Sequence, residues 1–145
     1  MKLRTLSRIE IYDIEEQCFW REDWLCKPRD EKQLTRLIER FSKGFAPEPS
    51  IVLHLSWNEE WDGFDLEADE DPRLESSSWC EDGVWNIYLA PSEETNHWLI
   101  HELAHILQGD EEEEEHSPAW LLHYIDILRT FRRNRAANNL LKALT

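Results

Sequence analysis

His101-Glu102-Leu103-Ala104-His105 narrows what this chain can be more than any other stretch. It lies inside the run from Trp98 to Leu107, which holds neither Gly nor Pro. Trp98, Leu99, Leu103, Ile106 and Leu107 surround the two histidines with apolar side chains. Such a run predicts a helix, with Ser92 or Thr95 as its cap and Glu93 and Glu94 at its positive end. On a helix, residues four apart lie one above the other, so both imidazoles can reach one metal ion. Glu102 lies beside that face and can polarise a water on the metal. The HExxH spacing therefore points to zinc-assisted hydrolysis of an acyl bond, most often a peptide bond. Six histidines and many glutamates could form the string by chance. The apolar setting argues otherwise, because buried imidazoles need partners and one ion satisfies both.

A catalytic zinc commonly takes three protein ligands and leaves one position open. No glutamate follows Glu115, so a later helix cannot supply one. Gln108 and Glu111 stand where a metzincin has its glycine and third histidine, and Met1 is the only methionine. His116, directly before Ser117-Pro118, is the best third ligand. A short loop after the motif helix lets the chain fold back there, and Ser117 and Pro118 open a second helix. Asp126 is the runner-up, and His123 has the same standing as Asp126 in mid-helix. His97 is either a supporting group or exposed near the helix start, and exposure is the simpler expectation. His54 reads as a satisfied strand histidine.

A chain of 145 residues makes one domain, 1–145, with a core that needs no disulfides. Its formal net charge of -15 argues against nucleic acid or anionic membrane as partners. It favours a peptide or protein substrate that is basic, if charge selects at all. Cys18, Cys26 and Cys80 have no paired spacing, which suggests free thiols in a reducing compartment. The residues after Met1 contain no apolar leader-like run, and no stretch approaches a membrane span, so the expected location is cytoplasmic.

Further elements follow from patterning. Leu6–Tyr12 alternates enough to suggest a short strand. A helix is expected over 30–43, with Leu34, Leu37, Ile38 and Phe41 on one face and Gly44 as its stop. Residues 51–57 read as a buried strand. The acidic stretch 58–73 reads as a solvated loop, and Glu111–Glu115 as another. Residues 74–79 and 84–89 read as paired strands about Glu81-Asp82-Gly83. Trp120, Tyr124, Ile127, Leu128 and Phe131 mark the stripe of the helix opened by Pro118. Arg129, Arg132, Arg133 and Arg135 cluster near its end, and Asn138-Asn139 suggests a break before a final helix.

The HELAH helix, the loop and His116-Ser117-Pro118-Ala119-Trp120 resemble the core of small bacterial and phage zincin-like metallopeptidases. SprT-like proteases share the plan. The likeness covers about residues 84–131, with Ser117 and Trp120 where such proteins carry Gly and Phe. No cysteine follows Cys80, so the zinc ribbon of many SprT relatives is absent. The resemblance implies an α+β zincin-like fold, a small mixed or antiparallel sheet packed on the HExxH helix and further helices. It implies a sheet-edge position for the strand Val84 to Leu89, which a peptide substrate could extend. It implies one zinc per chain on His101, His105 and His116, with Glu102 as the base. Tyr124, His123 and Arg129 are the candidates for a second donor to the oxyanion. Two other functions compete: a non-catalytic zinc module that binds a peptide or protein, and an acidic interaction protein.

Overall fold

In the computed structural model the described residues are 3–61, 71–109 and 116–145. Asp65, Glu67, Asp69 and the run Glu111–Glu115 lie outside them. The architecture is mixed α+β, with six helices and one three-stranded sheet among the described residues.

The motif helix, α4 (Asn96–Gln108), lies at the centre and packs on elements from every part of the chain. Thr95 is its cap, the Thr95 hydroxyl accepting from the Trp98 amide at 3.2 Å. Ser92 falls instead in a 3-10 turn, Pro91–Glu93. The helix stops at Gly109, whose φ of 85° suits a residue without Cβ. Leu99, Ile100, Leu103 and Ala104 are wholly buried. Beside α4 runs α5 (Pro118–Thr130), capped by Ser117 as expected, with Trp120, Leu121, Tyr124 and Leu128 in the shared core.

The segment read as a strand at Leu6–Tyr12 is instead the start of a helix, α1 (Arg8–Phe19). Ser7 and Glu10 form a reciprocal capping box: the Ser7 hydroxyl accepts from the Glu10 amide and Glu10 accepts from the Ser7 amide. That box satisfies two amides that a strand would have to pair elsewhere. The buried face is Ile11, Glu15 and Phe19, four residues apart. A short helix, α2 (Asp23–Cys26), follows. The expected helix at 30–43 is α3 (Glu31–Ser42), opened by an Asp30–Gln33 capping box.

The sheet holds β1 (Ile51–His54), β2 (Ser77–Glu81) and β3 (Val84–Tyr88), in the order β1-β3-β2. β2 and β3 are an antiparallel hairpin across Asp82 and Gly83, both at positive φ, which matches the twist of the strands. β1 pairs with β3 in parallel. The expectation of an edge position for Val84 to Leu89 is therefore overturned: β3 is central, with both its edges already hydrogen-bonded. One face of β3 sends Ile87 and then Leu89 into the core. On the other, Trp61 packs edge-on against His54, Trp57 and Trp79.

The last helix, α6 (Asn134–Leu144), runs straight through Asn138-Asn139, contrary to the expected break. Both asparagines are exposed, so they cost only helix propensity. The chain turns earlier, at Phe131–Arg133, where Arg132 has φ 60°. No helix among the described residues is long and apolar enough to cross a membrane.

Candidate metal centre

Helix α4 carries His101 and His105 one turn apart, and the turn before α5 brings His116 to them. The Leu6 amide donates to the His116 carbonyl at 3.0 Å, which ties that turn to the N-terminal segment. One ligand atom from each histidine lies within 4.8 Å of the others. The ring centroids form a nearly equilateral triangle, with separations of 5.1, 5.3 and 5.2 Å. Trp120 packs on all three rings, at 4.8 Å from His101, 5.0 Å from His105 and 4.6 Å from His116. His101 and His116 are buried and His105 is half-buried.

The outward nitrogens of the two α4 histidines are engaged. His101 donates from Nδ1 to the Glu15 carboxylate at 3.0 and 3.1 Å. A carboxylate can only accept, so Nδ1 carries a proton, and Nε2 is the nitrogen left for a metal, which would displace any proton held there. His105 Nδ1 donates to Gln108 Oε1 at 3.4 Å, and Gln108 Nε2 donates in turn to the Ser117 hydroxyl at 2.9 Å. Neutral imidazoles with the second nitrogen held from outside are the donor set that zinc takes in three-histidine sites. The residues present fit that ion.

Glu15 is 1% exposed and accepts from three donors. Besides His101, these are His97 Nε2 at 2.6 Å and the Tyr124 hydroxyl at 2.6 Å. Burial alone would raise its pKa, but the charges of His101 and His97 and their hydrogen bonds outweigh that and hold it below the usual carboxylate range. His101 shows the mirror image. Burial pulls it down, and the Glu15 carboxylate overrides burial and raises it. His105 is driven well below its ordinary value by burial and by the neighbouring His101 and His116. His116 is pushed down to about 3, by burial first and then by His101.

Glu102 is 3% exposed, on α4 beside His101. Burial first, then the charges of Glu75 and Glu102, raise the pKa of the Tyr12 hydroxyl. Tyr12 packs edge-on against Trp98 at 5.1 Å, and its ring centroid lies 6.0 Å from that of His101.

The other expected residues fall out differently. The Tyr124 hydroxyl is wholly buried and committed to Glu15, so it supports His101 and does not face a substrate. Arg129 and Asp126 are exposed on the outer face of α5, and His123 is half-buried on its flank. None of these three belongs to the histidine cluster among the described residues. His97, expected to be exposed, is only 11% exposed and bound to Glu15. His54 Nε2 meets Asn86 Oδ1 at 2.9 Å, a satisfied strand histidine. Cys18, Cys26 and Cys80 are free thiols, all half-buried.

Sequence reasoning missed Glu15, Tyr12 and Gln108. Glu15 left one signal, a carboxylate at a core position of the stripe Ile11-x-x-x-Glu15-x-x-x-Phe19, but it showed only once α1 was known to be a helix. No protein family, curated protein or solved structure matches this chain.

Proposed function

We propose that this protein is a zinc-dependent metallopeptidase of zincin-like plan, holding one zinc ion per chain on His101, His105 and His116. The observation that carries the reading is the triangle of imidazoles whose α4 members have their Nδ1 atoms tied to Glu15 and Gln108. That arrangement fixes both α4 rings and leaves their Nε2 atoms for an ion before any ion arrives, which lowers the cost of binding it. Bound there, zinc supplies Lewis acidity toward water and toward a substrate carbonyl.

The chain's own residues do the rest. Glu102 takes a proton from the attacking water on its carboxylate and delivers it to the leaving amine. Glu15 holds the His101 ring and neutralises the charge that the ring gains when its Nε2 donates to a cation. Tyr124 and His97 fix Glu15. Trp120 closes the inner side of the triangle and keeps water from it.

Substrate pairing moves to a different strand. With β3 enclosed, β2, whose outer edge pairs with no strand among the described residues, lies beside α4. An extended peptide added along Ser77–Glu81 would run past the motif helix. The net charge of -15 favours Lys- or Arg-rich peptides by long-range attraction. Three unpaired thiols fit a reducing compartment such as the cytoplasm.

A second reading, a non-catalytic zinc centre that stiffens a binding module, is favoured by the burial of His101, Glu102 and His116 at 2%, 3% and 3% exposure. One experiment separates the two. Elemental analysis of the purified protein should give about one zinc per chain, lost in His116→Ala, and the zinc-loaded wild type should cleave a basic peptide library. Zinc binding with no cleavage of any peptide would establish the second reading. Failure to bind zinc, even after it is added back, would remove both.

A further inference from the structure

Acidic residues outnumber basic ones by 31 to 16 in this chain. Arg4, Arg8, Arg73 and Arg135 are each paired, with Glu10, Glu75, Asp71 and Glu22. Among the described residues no ion pair joins Arg29, Arg36, Arg40 or Arg133. Three of these four line one cleft. Its wall is a single face of α3, formed by Gln33, Arg36, Leu37 and Arg40 at positions i, i+3, i+4 and i+7. Across from it stand Trp24 of α2, Arg29 and Asn96, the first residue of α4. The cleft is open to solvent and offers about 220 Å³.

The Arg29 guanidinium is short of acceptors. Arg29 donates from Nη2 to the Trp24 carbonyl at 3.0 Å, but its Nε is cut off from solvent and has no partner among the described residues. The Trp24 carbonyl is also taken by Asn96 Nδ2 at 3.0 Å. Arg133, outside the cleft lining, lies over the Trp24 ring at 4.3 Å. Arg40 lies over Phe131 at 5.1 Å. The aromatic rings favour cations beside them, but they accept no hydrogen bond from the guanidinium edges. Buried donors without acceptors are costly, and guanidinium groups sharing one cleft repel each other. An anion with several oxygens seated between Arg29, Arg36 and Arg40 offsets that repulsion.

We propose that this cleft is a binding site for a small oxyanion of phosphate or polycarboxylate type, of about pyrophosphate size. Guanidinium forks match such oxygens two at a time, and Gln33 and the exposed ends of Arg36 and Arg40 form the mouth through which the anion enters. A small ligand fits better than a macromolecular surface, because the cleft offers only about 220 Å³. The site is distinct from the histidine triangle. Asn96 precedes His101, the nearest of the three histidines on this helix, by five residues, about 7.5 Å along the axis, and no histidine lines the cleft. The inference does not depend on the metallopeptidase reading.

The test is isothermal titration of the full chain with sodium pyrophosphate and, separately, with citrate, at constant ionic strength. Wild type should bind at least one of them saturably at one site. Arg36→Gln/Arg40→Gln should weaken that binding at least tenfold, and both residues are exposed, so the fold is retained. His116→Ala should bind the anion as wild type does, which places it away from the metal. Pyrophosphate as the tighter ligand assigns the phosphate class, and citrate the carboxylate class. With ¹⁵N-labelled protein, the Arg29 Nε–H resonance should move on titration. No saturable binding of either anion, wild-type affinity in the double variant, or loss of binding in His116→Ala would each overturn the proposal.

Discussion

The Glu15 carboxylate lies 3.0 Å from Nδ1 of His101, although 86 residues separate the two in sequence. Helix α1 thus supplies a group that acts at the motif helix, and the same carboxylate gathers His97 and Tyr124. The histidine triangle is shaped from outside as much as by its own three members.

Replacing Glu15 with Gln should therefore reach the metal without touching a ligand. The amide oxygen can accept one hydrogen bond, but the negative charge that complements His101 is gone. Zinc affinity should fall about 10- to 100-fold, read by competition with a chromophoric chelator. Affinity equal to wild type would show that Glu15 is only a structural carboxylate.

Glu102→Gln should behave in the opposite way. The three histidines are intact, so zinc content should match wild type. Peptide hydrolysis should drop at least about 100-fold, because proton transfer of this kind contributes that much or more. Substantial turnover by the zinc-loaded variant would remove Glu102 from the chemistry.

Tyr124→Phe deletes one of the three donors to Glu15 and leaves the ring in place. A hydrogen bond to a buried charged group contributes about 1.5–3 kcal/mol. The melting temperature should fall accordingly, and zinc should still bind. An unchanged melting temperature would mean that another donor replaces the hydroxyl.

Acid should destabilise the metal-free protein. The ordinary value for His116 is 6.5 and its folded value about 3, and His105 shifts in the same direction. Between those limits the unfolded chain binds protons that the fold refuses, so stability falls as pH drops from 6.5 toward 3. Glu15, lowered from 4.5, adds to the loss at the acid end. His101 opposes it, since its raised pKa gives stability that is fully present below 6.5 and is lost as pH rises through the folded value. Two histidines and Glu15 outweigh one histidine. The melting temperature, followed by circular dichroism after chelation, should be lower at pH 4 than at pH 7. An equal or higher value at pH 4 would contradict this balance.

Local information settled several elements before any tertiary contact was considered. The spacing of His101 and His105 in a run without Gly or Pro specifies a helix with both rings on one face. Ser117-Pro118 specifies the start of the next helix, Asp82-Gly83 the hairpin, and Leu34, Leu37, Ile38 and Phe41 the buried face of α3. Each is a short-range pattern, because helix period, caps and tight turns involve residues only a few positions apart. The fold decided what depends on distant partners. Glu15 breaks the apolar stripe of α1 and so disguises the helix, and only the meeting of residues 15, 97, 101 and 124 explains a carboxylate in that place. The strand at Val84–Tyr88 is legible, but its central position depends on β1 arriving some thirty residues earlier in the chain. The sequence alone determined which side chains could hold a metal. The tertiary structure decided which groups aim them, because a buried charge can be read only from the donors that surround it.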